Sequence, residues 1–234
     1  MIDYLAPQCR PSTLDSYGNV RLLLGAVQRA LGRFTGEVLD VGCGRMPYKS
    51  LILSESRAMR YIGLDLPDDN YEPPDLLWDG HTIPLPDASV DSALLTEVLE
   101  HCPDAEAVLQ EVRRVLRPNG FLFLTVPFVW PIHCVPYDEF RYTPFSLRRI
   151  LESVGFANPS IEATGGRHAV LAVILGLWVR RRALTSRVHV VTKAILSFLL
   201  WPIIWLLMKI DKRPEQLAES TLFVGLSVSV HKPS

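Results

Sequence analysis

The sequence predicts a doubly wound α/β fold on a mostly parallel sheet, and three observations carry that prediction. Short apolar runs ending in turn residues alternate with segments of helical period from residue 17 to residue 154. One of these runs, Phe121 to Val126, is apolar without a break, as a parallel strand covered on both faces requires. The chain is 234 residues long and 48% hydrophobic, enough to enclose a sheet between two helical layers.

Taken in order, Tyr17 to Phe34 spaces Val20, Leu23, Leu24, Val27, Leu31 and Phe34 as one helical stripe. Glu37 to Val41 is a short apolar run ending in a glycine turn, the first strand, and a helix follows over Tyr48 to Ser56. Tyr61 to Leu66 is the second strand and Leu76 to Trp78 a short third. Val90 to Thr96 is the fourth, entered through the turn-rich stretch Pro84 to Ser89. Asp104 to Leu116 is the clearest helix, with Asp104 placed as its N-cap and Val108, Val112 and Val115 as its stripe, joined by Leu109 and Leu116. Pro118-Asn119-Gly120 stops that helix ahead of the fifth strand. Thr143 to Val154 is a further amphipathic helix ended by Gly155. Thr221 to His231 alternates Leu222, Val224, Leu226, Val228 and Val230 on one face, the pattern of a last strand.

Composition narrows the function. There are 24 basic and 25 acidic residues, a net charge of -1, so bulk electrostatics give no nucleic-acid partner any purchase. Cys9, Cys43, Cys102 and Cys134 are scattered without a paired spacing, which points to a reducing, cytoplasmic setting. The N-terminal stretch lacks a basic region followed by an apolar run, so no signal peptide is expected.

The chemistry starts at Val38-Leu39-Asp40-Val41-Gly42-Cys43-Gly44-Arg45. Glycines directly after a first strand let the backbone turn sharply and approach a ligand with no Cβ in the way. Asp65 closes the second strand, where a carboxylate can accept both hydrogen bonds of a ribose diol. Pro47 stands where a dinucleotide fingerprint has its third glycine, and Asp40 suits a cationic ligand better than a pyrophosphate.

Residues 38–48, VLDVGCGRMPY, resemble the first motif of class I S-adenosylmethionine-dependent methyltransferases, whose fold is Rossmann-like. Further matches follow in order: Trp78-Asp79-Gly80, then residues 83–91, then Glu97-Val98-Leu99-Glu100-His101, then Leu116 to Gly120. The resemblance implies a seven-stranded sheet with an antiparallel last strand and S-adenosyl-L-methionine as cofactor. It sets Gly42, Cys43 and Gly44 against the methionine part, with Asp40 beside them, and Asp65 and Leu66 at the ribose. Asp79 and Gly80 would face the adenine, and Glu97 would stand beside the cofactor at the end of the fourth strand.

The acceptor side is read from His133 to Pro144, a dense polar and aromatic stretch after the fifth strand, at the sheet edge where open α/β folds bind ligands. It resembles a segment of methyltransferases associated with polysaccharide and lipid-linked sugar biosynthesis. Tyr137, Asp138, Arg141 and Tyr142 are the substrate-side candidates. A hydroxyl acceptor benefits from a base of near-neutral pKa, which makes His133 the first candidate and His101 the second. No metal is expected, because adjacent His-Cys pairs rarely ligate one ion together and no standard zinc spacing occurs.

Residues 169–179 and 194–208 form apolar runs of 11 and 15 residues, each short of the roughly 20 that span a bilayer. Arg180, Arg181, Arg182 and Arg187 lie between them. A helical pair lying in the membrane interface satisfies both features, with Trp178, Trp201 and Trp205 near headgroups. The expected organisation is a cofactor-binding domain over 1–168 and 219–234 with a membrane-interface insertion over 169–210. The expected protein is a peripheral or monotopic enzyme at the inner face of the membrane. Its partners would be a small-molecule or lipid-linked acceptor and the membrane surface, and a homodimer interface is the other use of the insertion. A glycan or lipid-linked sugar hydroxyl is the preferred acceptor and a quinone or other lipid the alternative. An NAD(P)-dependent oxidoreductase and a non-catalytic binding module are the readings from other classes.

Overall fold

A computed structural model describes residues 3–67, 73–181 and 187–234. The chain runs α1 (Leu14–Ala30), β1 (Thr35–Val41), α2 (Lys49–Glu55), β2 (Arg57–Asp65), β3 (Leu76–Leu77), β4 (Val90–Thr96), α3 (Ala105–Val115) and β5 (Leu116–Pro127). Then come α4 (Pro144–Ser153), β6 (Ser160–Ala163), α5 (Arg167–Arg180), α6 (Arg187–Ile210) and β7 (Gly225–His231). The seven strands form one sheet in the order β3-β2-β1-β4-β5-β7-β6. β1 pairs in parallel with β2 and β4, and β4 with β5, so the chain reverses its winding at β1/β4. Reciprocal bonds, Asn119 N–H to Lys232 and Lys232 N–H to Gly120, run β7 antiparallel to β5. The expected doubly wound, mostly parallel seven-stranded sheet is the fold observed.

The core follows the apolar runs. Val38, Leu39 and Val41 of β1, Leu94 and Leu95 of β4 and Leu122 and Leu124 of β5 are wholly buried. Phe34 meets Phe121 edge to face, centroids 5.3 Å apart, and closes the end of the sheet opposite the glycine turn. Asp104 caps α3 by accepting the Ala107 N–H, and Thr143 forms a capping box with Ser146 at the start of α4.

Several boundaries differ from expectation for long-range reasons. β5 begins at Leu116 rather than Phe121, because Leu116 pairs with Val90 of β4 and bonds to Lys232 hold Asn119 and Gly120. β6 has too short and mixed a sequence to stand out, and β7 starts at Gly225, four residues later than its alternation suggests. α6 is one continuous helix. Thr192 and Lys193 interrupt its apolar count without interrupting its backbone, so its apolar stretch is Val190–Ile210, 21 residues. That length corrects the expectation that this run falls short of a bilayer span.

By compactness the chain divides into two units, residues 1–26 with 163–225 and residues 27–162 with 226–234. The first holds α5 and α6, packed on each other. Gly176 lets α5 lie against the Leu14 backbone, where a Cβ would collide with the carbonyl. Asp211 accepts the Gly166 and Ala169 N–H groups at 2.9 Å each, satisfying the start of α5 from beyond the end of α6. Arg180 and Arg181 both reach Asp15, at 3.8 and 3.5 Å, and Arg182 lies outside the described residues. α5 turns Val170, Val173 and Val179 inward, whereas α6 leaves Val190, Phe198, Leu199, Trp205 and Leu206 exposed.

Candidate active site

The second unit holds every candidate site residue. β1 delivers the chain into a turn in which Gly42 and Cys43 both donate to the Leu64 carbonyl, at 2.8 and 3.1 Å, tying the loop to β2. Gly42 has φ +68° and faces Val98, so a Cβ there would meet the Val98 methyl at 2.6 Å. Gly44 has φ +49° and nothing within 4 Å of where its Cβ would be. That open space is bordered by Asp65, whose two carboxylate oxygens accept the Gly44 N–H at 2.6 Å and the Leu66 N–H at 2.8 Å. The loop closes at Met46, itself left-handed, whose thioether lies against the bare face of Gly63 beside the Cys43 thiol. Gly63 thus supplies, from β2, the room that the Met46 and Cys43 side chains occupy.

Asp40 sits deeper than its sequence position suggests. Its carboxyl is 1% exposed and accepts a 2.5 Å bond from the Tyr61 hydroxyl. Burial raises its pKa to about 7, against the lowering pull of that bond. Asp79 is exposed and accepts the His81 and Thr82 N–H groups, which hold its carboxylate below the usual range, and Gly80 turns at φ +84° beside it.

The end of β4 and the segment after β5 form the other wall. Glu97 has φ +57° and its carboxyl is pushed upward by burial. Glu100 is fully buried, neither carboxyl oxygen has a hydrogen-bond partner among the described residues, and burial together with the Glu97 charge raises it too. The Glu100 carbonyl accepts the Glu139 and Phe140 N–H groups at 2.9 and 3.2 Å, and the Tyr142 hydroxyl donates to the Leu99 carbonyl at 3.1 Å. His101 Nδ1 bonds the Tyr137 carbonyl at 3.0 Å. These four bonds fasten residues 137–142 to the turn at Leu99–His101, which brings His101 and His133 together with ring centroids 4.7 Å apart.

Within the segment, Asp138 is the hub. Its side chain is 2% exposed, and Arg141 grips it with a two-pronged bond of 2.6 and 2.8 Å. Arg141 drives the Asp138 carboxyl far below the usual range. Asp138 accepts both the backbone N–H and the ring Nδ1–H of His133, each at 3.1 Å. Burial lowers the His133 pKa despite the Asp138 charge, and donation of Nδ1–H to Asp138 leaves the lone pair of a neutral ring on Nε2. Tyr137 is exposed, whereas Tyr142 is buried with its hydroxyl occupied and serves to fasten the segment.

Residues 39–124 match the family model described as a methyltransferase domain. Over those residues the chain carries a methyltransferase domain, on a fold shared with S-adenosylmethionine-dependent methyltransferases. An uncharacterized protein in transposon TN4556 of Streptomyces fradiae is 31% identical over 166 residues, 65% of this chain and 46% of that one. A fatty-acid O-methyltransferase of Mycolicibacterium smegmatis is 34% identical over 98 residues, 38% of this chain and 36% of the relative. The chain spans about half the length of the curated relatives it matches. An S-adenosylmethionine-dependent methyltransferase from Archaeoglobus fulgidus shares the fold, with TM-score 0.56 and 17% identity over 92% of this chain and 94% of its own.

The site of the methyltransferase domain fits its family's cofactor. The open face of Gly44, which any Cβ would partly fill, lies beside an Asp65 carboxylate already oriented by two backbone N–H groups. The oxidoreductase alternative is set aside by the family match. Three features of the domain are missing from the sequence reading: the Glu97–Glu100 carboxyl pair, the Gly63 cradle for Met46, and Arg114. Arg114 reaches Glu111, Asp87 and the Ile83 and Leu85 carbonyls, clamping residues 83–87 to α3. The proline-rich motif before β4 thus has a structural partner, and nothing local in sequence marks Arg114 rather than its neighbour Arg113 for that role.

Proposed function

We propose that the domain transfers a methyl group to an oxygen of a lipid-carried acceptor at a membrane surface, peripherally or monotopically on its cytoplasmic face. Bound S-adenosylmethionine supplies an electrophilic methyl group. The residues do the rest: Gly42, Cys43 and Gly44 shape its cradle, Asp65 and Leu66 hold the ribose, Asp79 and Gly80 border the adenine, and Glu97 faces the reacting end. In-line displacement at a methyl depends chiefly on positioning. His133 takes the acceptor proton on Nε2, with Asp138 and Arg141 holding its tautomer, and His101 is the second candidate. Tyr137 lies at the acceptor mouth.

The observation that carries the lipid part is α6. Its apolar stretch is only 11% buried, and Trp178, Trp201 and Trp205 in the same unit remain partly exposed, as a surface meeting headgroups requires. Relatives named for fatty-acid and for ubiquinone O-methylation support an apolar acceptor. The His133–Pro144 segment, by its resemblance, supports a lipid-linked sugar. The test is incubation of the purified chain with methyl-labelled cofactor and a detergent extract of membranes. Label is expected in the organic phase, on lipid-linked sugar in the first reading and on quinone or fatty acid in the second. Label confined to water-soluble products would overturn the proposal.

A further inference from the structure

We infer that His101, His133 and Cys134 form a binding site for a divalent transition-metal ion, zinc by ligand type, at the mouth of the acceptor side. One ligand atom from each of the three lies within 4.8 Å of those of the other two. A tetrahedral zinc with two imidazoles at about 2.0–2.1 Å and a thiolate at about 2.3 Å needs only a modest contraction of that triangle. Two imidazoles and one thiolate are the donors that borderline-soft ions select, and three protein ligands leave a fourth position open.

The surroundings are those of ligating histidines. Each ring spends Nδ1 on an acceptor, His101 on the Tyr137 carbonyl and His133 on Asp138, at 3.0 and 3.1 Å. That arrangement fixes the tautomer that leaves Nε2 as the electron-pair donor on both rings, the second layer that metal-binding histidines keep. Glu100 adds an independent observation. It is a fully buried carboxyl with no hydrogen bond to either oxygen among the described residues, and Oε1 lies 3.8 Å from His101 Nε2. A dication beside His101 would give that carboxyl the partner it lacks.

Adjacent residues rarely share one ion because an extended backbone points neighbouring side chains apart. Cys134 is not extended: its φ is +48°, a left-handed turn that accompanies the return of its thiol toward the two rings. This inference goes beyond the methyl-transfer reading and stands without it. Ion binding and proton uptake use the same Nε2 of His133, so the loaded form is one in which that base is withheld.

The test takes the full chain, stripped by chelator and kept reduced, and titrates it with cobalt(II) alone and with zinc in competition against a chromophoric chelator. The expected result is one equivalent bound, with a thiolate-to-cobalt charge-transfer band that vanishes in Cys134→Ser. His101→Ala and His133→Ala should each weaken zinc at least about tenfold. S-adenosylhomocysteine binding, measured on every variant, reports folding separately and tests the cofactor reading on its own. No stoichiometric binding to folded protein would overturn the site. So would a band that survives in Cys134→Ser, or unchanged zinc affinity in the His101→Ala/His133→Ala double variant.

Discussion

At the scale of single residues the proposed cofactor site rests on a few backbone-directed bonds. Asp65 is held by the Gly44 and Leu66 N–H groups, so its free lone pairs are aimed before any ligand arrives. Asp65→Ala should therefore weaken S-adenosylhomocysteine binding by about 1–3 kcal/mol, because the ribose diol loses its acceptor. Calorimetric titration checks this, and an affinity equal to that of the unaltered chain would remove Asp65 from the ribose. This pair was legible in sequence because the turn and the acid stand at fixed local offsets from two recognisable strands. The acceptor side was legible only as a list of residue types. That His133 would meet His101 depends on Glu100, Tyr137 and Tyr142 bonds that join segments about forty residues apart, and no local pattern encodes them. Asp40 shows the reverse: its place in the motif is plain, but its burial against Tyr61 follows from the β1–β2 register, in which Asp40 lies beside Gly63.

At the scale of elements, strands and helices with strong local patterns are where the sequence puts them. β4 matches to the residue, and α3 is one residue shorter at each end, where Asp104 and Leu116 are its caps. Elements defined by their partners are not, as β5, β6 and β7 demonstrate. α6 is the informative case, since it turns Ile204 and Met208 inward while most of its apolar residues face outward. If that surface meets lipid, Phe198→Asp with Leu206→Asp should cut binding to anionic vesicles at least about tenfold, each lost apolar side chain being worth about 1.5–3 kcal/mol when buried. Their thermal midpoint should hardly move, because both positions are exposed, at 64% and 52%. Vesicle flotation and a melting curve give the two readings. Unchanged flotation would refute lipid contact, and a shift from dimer to monomer on a sizing column would assign the face to a second copy instead.

At the scale of the whole molecule, a methyltransferase sheet carries an ionisable group in its centre, and that has a consequence for stability. Asp40 is 1% exposed, and burial raises its pKa from 3.8 to about 7. Between those values the folded chain holds a proton that the unfolded chain has released. Stability should then be fullest below about pH 4, fall by up to roughly 1.4 kcal/mol per pH unit between 4 and 7 from this group, and level off above 7. Asp40→Asn keeps an acceptor for the Tyr61 hydroxyl and cannot ionise. Urea denaturation of both proteins at pH 5 and pH 8 isolates the contribution, since every other titrating group is common to the pair. The Asn variant should gain on the unaltered chain as pH rises, and be the more stable of the two at pH 8. Parallel pH dependence in both would mean that the sheet stabilises the charged carboxylate, and that the Tyr61 hydrogen bond outweighs the burial of the charge.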